Sequence, residues 1–340
     1  MRKLATIQRI AEVKTIENAD KVVAYRIGGW EVVDSKDKYQ VGDVVVYCEP
    51  DSWIPHELAP FLSKGKEPRE FEGVKGERLR SVKLRGQLSQ GLLLPTSVLN
   101  FTENKFDDSE IGNDVSERLG IMKWEAPVPA CLAGDARGMF PSAVPKTVQE
   151  RIQNLSDKLN ELSAHTYEVT EKLNGSSCTL WLDDEADFHV CSRNLDLKET
   201  ESNSYWKAAR KYDVEQKMKD LGLKGLAIQG ELIGEGINGN QYKTSLDFYV
   251  FDMYDAVFQR YLTSSERLVC CEKLGLKHVP VLCNSFSIGM DGTVANLLAY
   301  AEGKSKLNGS EREGCVFVST CDPSVSFKCV SNRWLIKTGE

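Results

Sequence analysis

The 340-residue sequence lacks any apolar run close to the roughly 20 residues that a membrane-spanning helix needs. Its basic first nine residues are not followed by the apolar segment of a signal peptide. Internal repeats and low-complexity segments are also absent, and an ordinary composition with 41% hydrophobic and 27% charged residues excludes a collagen, a disordered tail protein and a coiled-coil rod. We therefore expect a globular protein of the cytoplasm or nucleus, with about two domains at roughly 150 residues per domain.

Cysteine and histidine do not have the spacing of the common zinc sites. The sequence has ten Cys residues without a CxxC pair, and only four His residues. Ten half-cystines are too sparse for a disulfide scaffold in a chain of this length. Most of them lie in apolar segments, so we predict reduced, buried thiols and no zinc site.

Positive charge is in the minority, with 43 Lys and Arg against 50 Asp and Glu and a formal net charge of -7. This excludes a protein coated in basic charge, but a local basic surface is enough to bind nucleic acid. Five cations fall between Lys75 and Arg85, against the single acid Glu77. They predict a track for a phosphate backbone. The alternative is a solvated strand whose cations pair with acids elsewhere.

The first 98 residues are typical of a small all-β domain. Short β-branched and aromatic runs at 22–27, 30–33 and 43–48 are separated by Gly and Asp turns, and a basic strand is predicted over 78–85. About five short strands favour a closed barrel, and we predict an OB-fold. Trp30 and Trp53 are either stacking platforms or core, and the sequence does not decide between them.

Residues 99–145 are acidic and rich in Pro, and we predict a linker there. The remaining residues, 146–340, mix strands and helices, which predicts an α+β domain with an antiparallel sheet. The predicted helices span 146–163, 204–221, 265–274 and 294–302. The predicted strands span 167–171, 177–182, 188–192, 226–232, 248–253, 315–318 and 325–330.

The most informative segment is 167–177, where the strand predicted over 167–171 leads directly into Lys172 and a turn follows at Asn174-Gly175. This order places one ammonium group at the entrance of a cavity. The segment also has an ordinary interpretation, because Asn-Gly is a favoured hairpin turn and the lysine would then be solvated.

Further polar residues follow on successive predicted strands, and each alone has a structural explanation. Glu231 follows Gly230 and could be half of an ion pair. Phe251 could be core, and Lys328 could protect the edge of a sheet. The ordered series is completed by Arg193 and by Glu313, which begins a strand. Together these segments resemble motifs I, Ia, III, IIIa, IV and V of the covalent nucleotidyltransferases, the superfamily of polynucleotide ligases and mRNA capping enzymes.

The order of the domains narrows the resemblance. An OB-like domain that precedes the nucleotidyltransferase, with residues 84–91 and the connecting Phe140-Pro141 and Pro145-Lys146-Thr147, is similar to the ATP-dependent RNA ligases of the Deinococcus and Naegleria type. DNA ligases and capping enzymes usually carry the OB domain after the catalytic domain. Both remain alternatives, as does a non-catalytic RNA-binding protein with a decayed nucleotidyltransferase domain.

The resemblance implies a role for each matching residue. Lys172 would be the nucleophile that takes AMP, with Lys328 as the second catalytic lysine at the α-phosphate. Glu313 would hold a divalent metal, with Mn²⁺ favoured and Mg²⁺ as the alternative. Asn174 stands where many family members have Asp, and Val330 stands where many have a second lysine. The remaining implied ATP or AMP contacts are Glu171, Asn174, Arg193, Glu231, Phe251 and Val316.

The resemblance further implies a monomer that seals RNA 3′-OH and 5′-phosphate ends, and a role in nick repair. The implied RNA-binding residues are Arg78, Arg80, Lys83 and Arg85. A free lysine has a pKa of about 10.4, so the nucleophile must lose a proton that it holds at pH 7. Lowering that pKa by about 3 units costs roughly 4 kcal/mol. Desolvation and nearby cations can supply this, and we expect the cations to be Lys328 and a metal.

Overall fold

A computed structural model describes residues 2–99, 108–127, 130–290 and 292–338 of the chain. The chain divides into two compact units. The N-terminal unit comprises 1–127 with 153–157 and 335–340, and the C-terminal unit comprises 128–152 and 158–334. The domain limits predicted at residues 98 and 145 stay predictions. No helix within the described ranges is long and apolar enough to cross a membrane.

The N-terminal unit is built from short antiparallel strands. They form a three-stranded sheet in the order β1-β5-β11, a second in the order β2-β3-β4, a four-stranded sheet β12-β6-β8-β7 and the hairpin β9-β10. Trp30 and Trp53 are both buried, so they belong to the core and are not exposed stacking platforms. The strands are β1 (Ala5–Arg9), β2 (Glu12–Thr15), β3 (Val22–Ile27), β4 (Trp30–Ser35), β5 (Val44–Cys48), β6 (Ser52–Pro55), β7 (Arg69–Phe71), β8 (Val74–Arg78), β9 (Val82–Leu84), β10 (Gln87–Ser89), β11 (Leu92–Pro95) and β12 (Met122–Lys123).

The single basic strand predicted over 78–85 is wrong. Arg78 ends β8, and Lys83 lies on β9 in a different sheet. Between them the backbone of Leu79 hydrogen-bonds to Ser52 and Asp51, and the Leu79 side chain enters the core. These contacts with distant residues end β8 before β9 begins. The alternation of residue types over 78–85 does not show such contacts, so the break was not predicted.

The C-terminal unit contains two sheets. An eight-stranded sheet has the order β13-β18-β17-β16-β19-β20-β21 with β22 beside β20, and a five-stranded sheet has the order β14-β25-β24-β15-β23. Most pairs are antiparallel, as predicted; β14 pairs with β25 and β20 with β22 in parallel. The strands are β13 (Ala136–Met139), β14 (Glu150–Arg151), β15 (Thr166–Lys172), β16 (Ser176–Leu182), β17 (Phe188–Cys191), β18 (Leu195–Leu197), β19 (Leu226–Ile233), β20 (Asp247–Asp255), β21 (Arg260–Tyr261), β22 (Lys277–His278), β23 (Val281–Ser287), β24 (Gly314–Ser319) and β25 (Ser326–Val330).

Helices connect and flank these strands, and two helix predictions need correction. The helix predicted over 146–163 is wrong: Glu150–Arg151 forms β14, Ile152–Lys158 is a 3-10 helix, and only Leu159–Leu162 is α-helical. The helix predicted over 204–221 is broken by Asp213, whose φ of 50° is left-handed. The α-helices are α1 (Ala130–Gly134), α2 (Leu159–Leu162), α3 (Ser204–Lys211), α4 (Val214–Asp220), α5 (Ser264–Leu274), α6 (Val294–Ala301) and α7 (Asn332–Thr338).

Strand β15 has two buried faces with different chemistry. Side chains alternate along a strand, so Tyr167 and Val169 face one side while Lys172 faces the other. Tyr167 packs edge-on against Phe327 at 5.3 Å between ring centroids, and Phe327 stacks on Phe317 at 4.6 Å. This aromatic layer fixes the register of β15, and truncating one such ring typically costs about 3–5 kcal/mol. The opposite face carries Lys172 into a cleft.

Candidate active site

A cleft with about 860 Å³ of empty space, including the solvent at its opening, lies in the C-terminal unit. Residues of both sheets of this unit line it. Seven of the residues that the sequence analysis assigns to catalysis or nucleotide binding line this cleft: Glu171, Lys172, Arg193, Glu231, Phe251, Val316 and Lys328.

Lys172 forms an ion pair at the end of β15. Its Nζ donates to Glu313 Oε1 at 2.6 Å, and the two side chains are 28% and 11% exposed. Lys172 pairs in register with Gly314, so Glu313 precedes β24 directly beside the lysine. A Cβ at Gly314 would lie 2.1 Å from the carbonyl oxygen of Cys329. Glycine is therefore required where β24 passes β25 next to this pair.

The electrostatic surroundings of Lys172 differ from the expectation. Burial acts to lower the pKa of Lys172, but the carboxylates of Glu313 and Glu231 outweigh it and raise this pKa above its usual value. The cation with the largest opposing effect is Arg151, on β14, and not Lys328. The protein alone therefore holds the amine protonated, because the nearest charges are negative.

Glu231 lies on β19, close enough to Lys172 to raise its pKa, and is hydrogen-bonded to the turn that follows the lysine. Its Oε1 accepts a hydrogen bond from the backbone N–H of Gly175 at 2.9 Å. Burial, supported by the charge of Glu313, raises the pKa of Glu231 to about 7, although Lys172 opposes the shift. A Cβ at Gly175 would lie 2.2 Å from the carbonyl oxygen of Leu232 and 2.9 Å from Glu231 Cγ. The glycine turn thus lets β19 and its carboxylate approach the nucleophile.

Asn174 does not line the cleft but belongs to an amide network. Its backbone N–H donates to Tyr242 Oη at 2.9 Å, and its Nδ2 donates to Gln241 Oε1 at 2.8 Å. Asn238 Nδ2 donates to the carbonyl oxygen of Gly175 at 2.7 Å. The sequence analysis missed this supporting loop, although its dense Gly and Asn residues between 234 and 244 signal left-handed backbone.

Phe251 and Val316 come from opposite sheets to the same cleft. Phe251 lies on β20, packed against the cluster that includes Leu173 and Val279. Val316 lies on β24, in register with both Thr170 and Lys328. A ring and a branched apolar side chain on facing walls suit a flat aromatic ligand between them. The exposed Arg193 also lines the cleft.

Glu171 is almost fully buried and faces away from Lys172 along β15. Its Oε2 accepts a hydrogen bond from the backbone N–H of Lys306 at 2.8 Å, and its Oε1 has no hydrogen-bond partner among the described residues. Its contact with a nucleotide stays a prediction.

One feature of the site fits a divalent metal. Glu313 Oε2 is buried and has no hydrogen-bond partner within the described ranges, and a carboxylate oxygen is the ligand type that Mg²⁺ and Mn²⁺ prefer. Those ranges contain no group of three or more His, Cys, Asp or Glu placed to hold a metal ion. A metal here would therefore complete its coordination with water and with phosphate oxygens, as Mg²⁺-like ions commonly do.

A buried charged cluster that was not predicted from the sequence also lines the cleft. It consists of Glu168 on β15, Asp252 on β20 and Arg267 on α5. Arg267 Nη2 donates to Glu168 Oε2, and its Nη1 lies 4.0 Å from Asp252 Oδ1. Charged residues inside two apolar strands, at Glu168 and Asp252, were the available signal.

The four candidate RNA-binding residues of the N-terminal unit are not equivalent. Arg78 pairs with Asp51 at 2.6 Å, and its guanidinium lies 3.8 Å from the centroid of the Trp124 ring. Arg78 therefore has partners within the N-terminal unit, and its contact with RNA stays a prediction. Arg80, Lys83 and Arg85 are exposed, and Lys83 and Arg85 project from the hairpin β9-β10. Arg85 and Gly86 both have positive φ, as the tight two-residue turn requires.

Comparisons with known proteins identify relatives of both units. The family model described as RNA ligase matches residues 165–330, and an OB-fold domain model matches residues 4–96. The chain is similar to a Naegleria gruberi RNA ligase point mutant with AMP and Mn, at 41% identity over 98% of each chain with a TM-score of 0.88. It is also similar to a point mutant of that ligase with ATP and Mn and to the ligase with pyrophosphate, both at 40% identity over 98% of each chain with a TM-score of 0.87. No curated protein sequence matches the chain.

Proposed function

The chain belongs to the RNA ligase family, and we propose that Lys172 carries AMP while it joins RNA 3′-OH and 5′-phosphate ends. The protein is an ATP-dependent RNA ligase with an OB-fold ahead of its nucleotidyltransferase domain. The observation that supports Lys172 as the nucleophile is its position: an ammonium in a cleft, 2.6 Å from Glu313 and under the influence of Glu231.

The reaction has three displacements at phosphorus. In the first, Lys172 Nζ forms a P–N bond to the α-phosphorus of ATP, and pyrophosphate leaves with the electrons of the broken P–O bond. In the second, an oxygen of the RNA 5′-phosphate attacks the same phosphorus, which releases the lysine and leaves AMP on the RNA. In the third, the RNA 3′-OH attacks the capped 5′-phosphate, forms the phosphodiester and expels AMP.

The first displacement requires Lys172 to give up a proton. An ammonium has no lone pair for the attack, so a nearby base must accept the proton before or during bond formation. Glu313 Oε1 is within hydrogen-bond reach at 2.6 Å. Glu231, whose pKa burial raises to about 7, is a second weakly acidic carboxyl in the same cleft. We propose that one of these two carboxyl groups accepts the proton that Lys172 gives up.

Glu313 is also the residue that we assign to a divalent metal, because its Oε2 is buried without a protein partner among the described residues. Similar structures contain Mn together with ATP or AMP, so Mn²⁺ is favoured and Mg²⁺ is the alternative. Such an ion supplies positive charge that stabilises the phosphate oxygens and opposes the effect of the carboxylates on Lys172.

The remaining nucleotide contacts follow from the walls of the cleft. Phe251 and Val316 hold the adenine ring between the two sheets, and Glu231 binds the ribose hydroxyls. Lys328, in register with Val316, contacts the α-phosphate. Arg193 contacts the nucleotide with its positively charged guanidinium. The amide of Asn174, where the family often has a carboxylate, keeps a neutral oxygen that can hold water on the metal.

RNA is the partner, and we assign its binding on the N-terminal unit to Arg80, Lys83 and Arg85, together with Arg78. Exposed cations on a protruding hairpin suit a phosphate backbone. We further propose a nicked duplex as the substrate, a monomer as the active form, and a location in the cytoplasm or nucleus. The buried positions of Cys48, Cys178 and Cys191 agree with reduced thiols.

Labelling with radioactive nucleotide tests the proposal. The protein is incubated with α-labelled ATP or GTP and Mn²⁺, and denaturing gels show covalent label. We expect the protein to take label from ATP through an acid-labile bond. Lys172→Ala should take none. Lys198→Ala, a lysine outside the cleft, is the control. Label that persists in Lys172→Ala contradicts the nucleophile, label from GTP indicates a capping enzyme, and no label indicates a non-catalytic RNA-binding protein.

Sealing assays test the substrate. Nicked duplexes with RNA or DNA on either side of the nick, and single strands of matched sequence, are compared at equal concentration. We expect sealing of nicks with RNA at the 3′-OH side. Equal or faster sealing of single strands contradicts the nicked-duplex proposal, and a preference for all-DNA nicks contradicts the RNA substrate.

A further inference from the structure

We propose that Asp252 and Arg267 read the edge of the nucleotide base and make the site prefer ATP to GTP, with Glu168 and His278 holding Arg267 in place. The inference deepens the proposed function, because it rests on a nucleotide bound in the cleft with its α-phosphate at Lys172. It concerns the cluster that the assignment of catalytic and nucleotide-binding residues leaves unused.

The cluster lies at a suitable distance from the nucleophile. Glu168, Thr170 and Lys172 occupy alternate positions of β15 and all line the cleft. Four residues of extended strand separate Glu168 from Lys172 by about 13 Å. Phe251, which we assign to the base, immediately precedes Asp252. A nucleotide with its phosphate at Lys172 therefore directs its base toward the cluster.

Arg267 is held so that one nitrogen remains available. The side chain is 1% exposed; Nη2 donates to Glu168, and Nε donates to His278 Nε2 at 2.9 Å. His278 Nδ1 donates to the carbonyl oxygen of Val279 at 2.6 Å, so His278 is neutral with its proton on Nδ1. Arg267 Nη1 is buried and has no hydrogen-bond partner in the described part of the chain. A buried guanidinium nitrogen without a hydrogen-bond partner, in a residue that lines a ligand cleft, points to a donor that a ligand can use.

Asp252 supplies the opposite kind of group. It lines the cleft with a carboxyl group that is 9% exposed, and its Oδ1 lies 4.0 Å from Arg267 Nη1. Its Oδ1 also accepts the backbone N–H of Met253 at 3.1 Å, which fixes its orientation. The cluster thus presents one acceptor and one donor side by side, each held by its neighbours.

This pair matches adenine better than guanine. Adenine carries an amino donor at N6 next to a ring-nitrogen acceptor, whereas guanine has the acceptor O6 in place of the amino group. With adenine, Asp252 accepts from N6 and Arg267 Nη1 donates to the ring nitrogen. With guanine in the same position, O6 faces Asp252. Burial raises the pKa of this carboxyl to about 7, so above that pH the ionised group has no proton to donate and two acceptors oppose each other. The labelling rates are therefore compared at pH 8. Because Glu168 and His278 hold Arg267, the donor cannot move to meet O6.

The alternative is that the cluster is only a buried ion pair that stabilises the fold. A structural role predicts that substitutions change stability and the labelling of every nucleotide alike. Base reading predicts that they change the ratio between nucleotides. The test therefore uses ratios, which a partial loss of folded protein does not move.

The experiment measures the initial rate of self-labelling at subsaturating ATP, GTP and purine riboside triphosphate, which lacks the 6-amino group. For the unaltered protein we expect ATP to exceed purine riboside triphosphate by about tenfold to a hundredfold. In Asp252→Ala the two should differ by no more than about twofold, since the amino group has lost its acceptor. In Asp252→Asn the amide can donate to O6, so the ratio of GTP to ATP should rise about tenfold or more. Asp255→Asn, on the same strand outside the cleft, is the control and should keep every ratio.

The outcomes separate this inference from the proposed function. If the unaltered protein takes no label from ATP, the proposed function fails. If it takes label from ATP but Asp252→Ala keeps the full penalty for the missing amino group, only the base-reading assignment is overturned. Should Asp252→Ala fail to fold, as judged by its circular dichroism spectrum, the near-isosteric Asp252→Asn decides through its ratio of GTP to ATP, and an unchanged ratio overturns the assignment.

Discussion

Glu313 Oε1 lies 2.6 Å from Lys172 Nζ. Glu313 immediately precedes β24 and Lys172 ends β15, so this ion pair links the two strands. The same carboxylate leaves Oε2 buried without a hydrogen-bond partner in the described ranges. One side chain therefore holds the lysine protonated and offers an oxygen to a cation. Whatever binds Glu313 also changes the basicity of Lys172, because the two groups share one interaction.

The first prediction concerns the pKa of Lys172 without metal. Glu313→Gln removes a charge that raises this pKa, so the midpoint for modification of Lys172 by an amine-reactive reagent should move to lower pH. Mass spectrometry of the modified peptide measures the midpoint without relying on activity. Glu311→Gln, which removes a carboxylate paired with the exposed Lys304, is the control. An unchanged midpoint in Glu313→Gln would show that the ion pair does not control the amine.

The second prediction concerns stability and pH. The carboxyl of Glu231 has an ordinary value of 4.5 and a pKa of about 7 in the folded protein. Its contribution to the free energy of unfolding is full below pH 4.5 and is lost as the pH rises through about 7. Relative to Glu231→Gln, the unaltered protein should lose up to about 3 kcal/mol across this window. Urea denaturation at several pH values measures the free energy of unfolding, and Glu161→Gln, at an exposed residue, is the control. The prediction is contradicted if the free energies of Glu231→Gln and of the unaltered protein change with pH in parallel.

The third prediction concerns the glycine after Asn174. In Gly175→Ala the new Cβ would lie 2.2 Å from the carbonyl oxygen of Leu232, so the turn or β19 must move. We expect a loss of about 1–3 kcal/mol in the free energy of unfolding, and a larger loss of self-labelling because Glu231 moves with β19. Gly289→Ala, where a Cβ meets nothing within 4 Å, should leave both unchanged. Equal behaviour of the two variants is the contrary result.

The fourth prediction separates RNA binding from adenylylation. Lys83→Ala combined with Arg85→Ala should weaken binding of nicked RNA and reduce the dependence of log affinity on log salt by about 0.9 per lost phosphate contact on duplex. Self-labelling by ATP should stay unchanged, because both residues lie outside the cleft. Lys21→Ala combined with Lys36→Ala, two exposed lysines elsewhere in the same unit, is the control. An unaltered salt dependence would show that the hairpin β9-β10 does not contact the RNA phosphates.

Arg78 should behave differently from its neighbours. Its guanidinium contacts Asp51 and the Trp124 ring, and its side chain is 13% exposed. We expect Arg78→Ala to lower the free energy of unfolding by about 1–3 kcal/mol, since it leaves Asp51 without this partner and removes a cation–π contact. Thermal denaturation measures the loss. A variant with unaltered stability but weaker RNA binding would assign Arg78 to the RNA surface alone.

The resemblance of ordered sequence segments to known motifs selected residues that the structure brings to one cleft. Lys172, Glu231 and Glu313 each have an ordinary structural explanation alone, and only the order of their segments along the chain singled them out. The register that brings these three together comes from pairing between distant strands, which no local pattern shows. The sign of the pKa shift at Lys172 was also beyond the sequence, because it depends on which charges lie nearest in space.

The errors have a common physical cause, which is tertiary structure overriding a local preference. The apolar spacing over 146–163 suits a helix, but Glu150–Arg151 pairs in parallel with β25 and becomes extended. Arg267 lies on a helix whose pattern is that of an ordinary surface helix, so its burial was not visible. Its partner Glu168 comes from a strand 99 residues away in sequence.

The alternation of side chains along β15 places a residue needed for stability and a residue needed for the reaction on opposite faces of one strand. Tyr167 belongs to the aromatic layer on one side, and Lys172 reaches the cleft on the other. Loss or gain of one residue between them would place both side chains on the same face, so either the amine would turn toward the aromatic rings or the Tyr167 ring would turn toward the nucleotide. Sequence drift can therefore exchange side chains in this stretch, but the number of residues from Tyr167 to Lys172 must stay constant for the protein to fold and react at once.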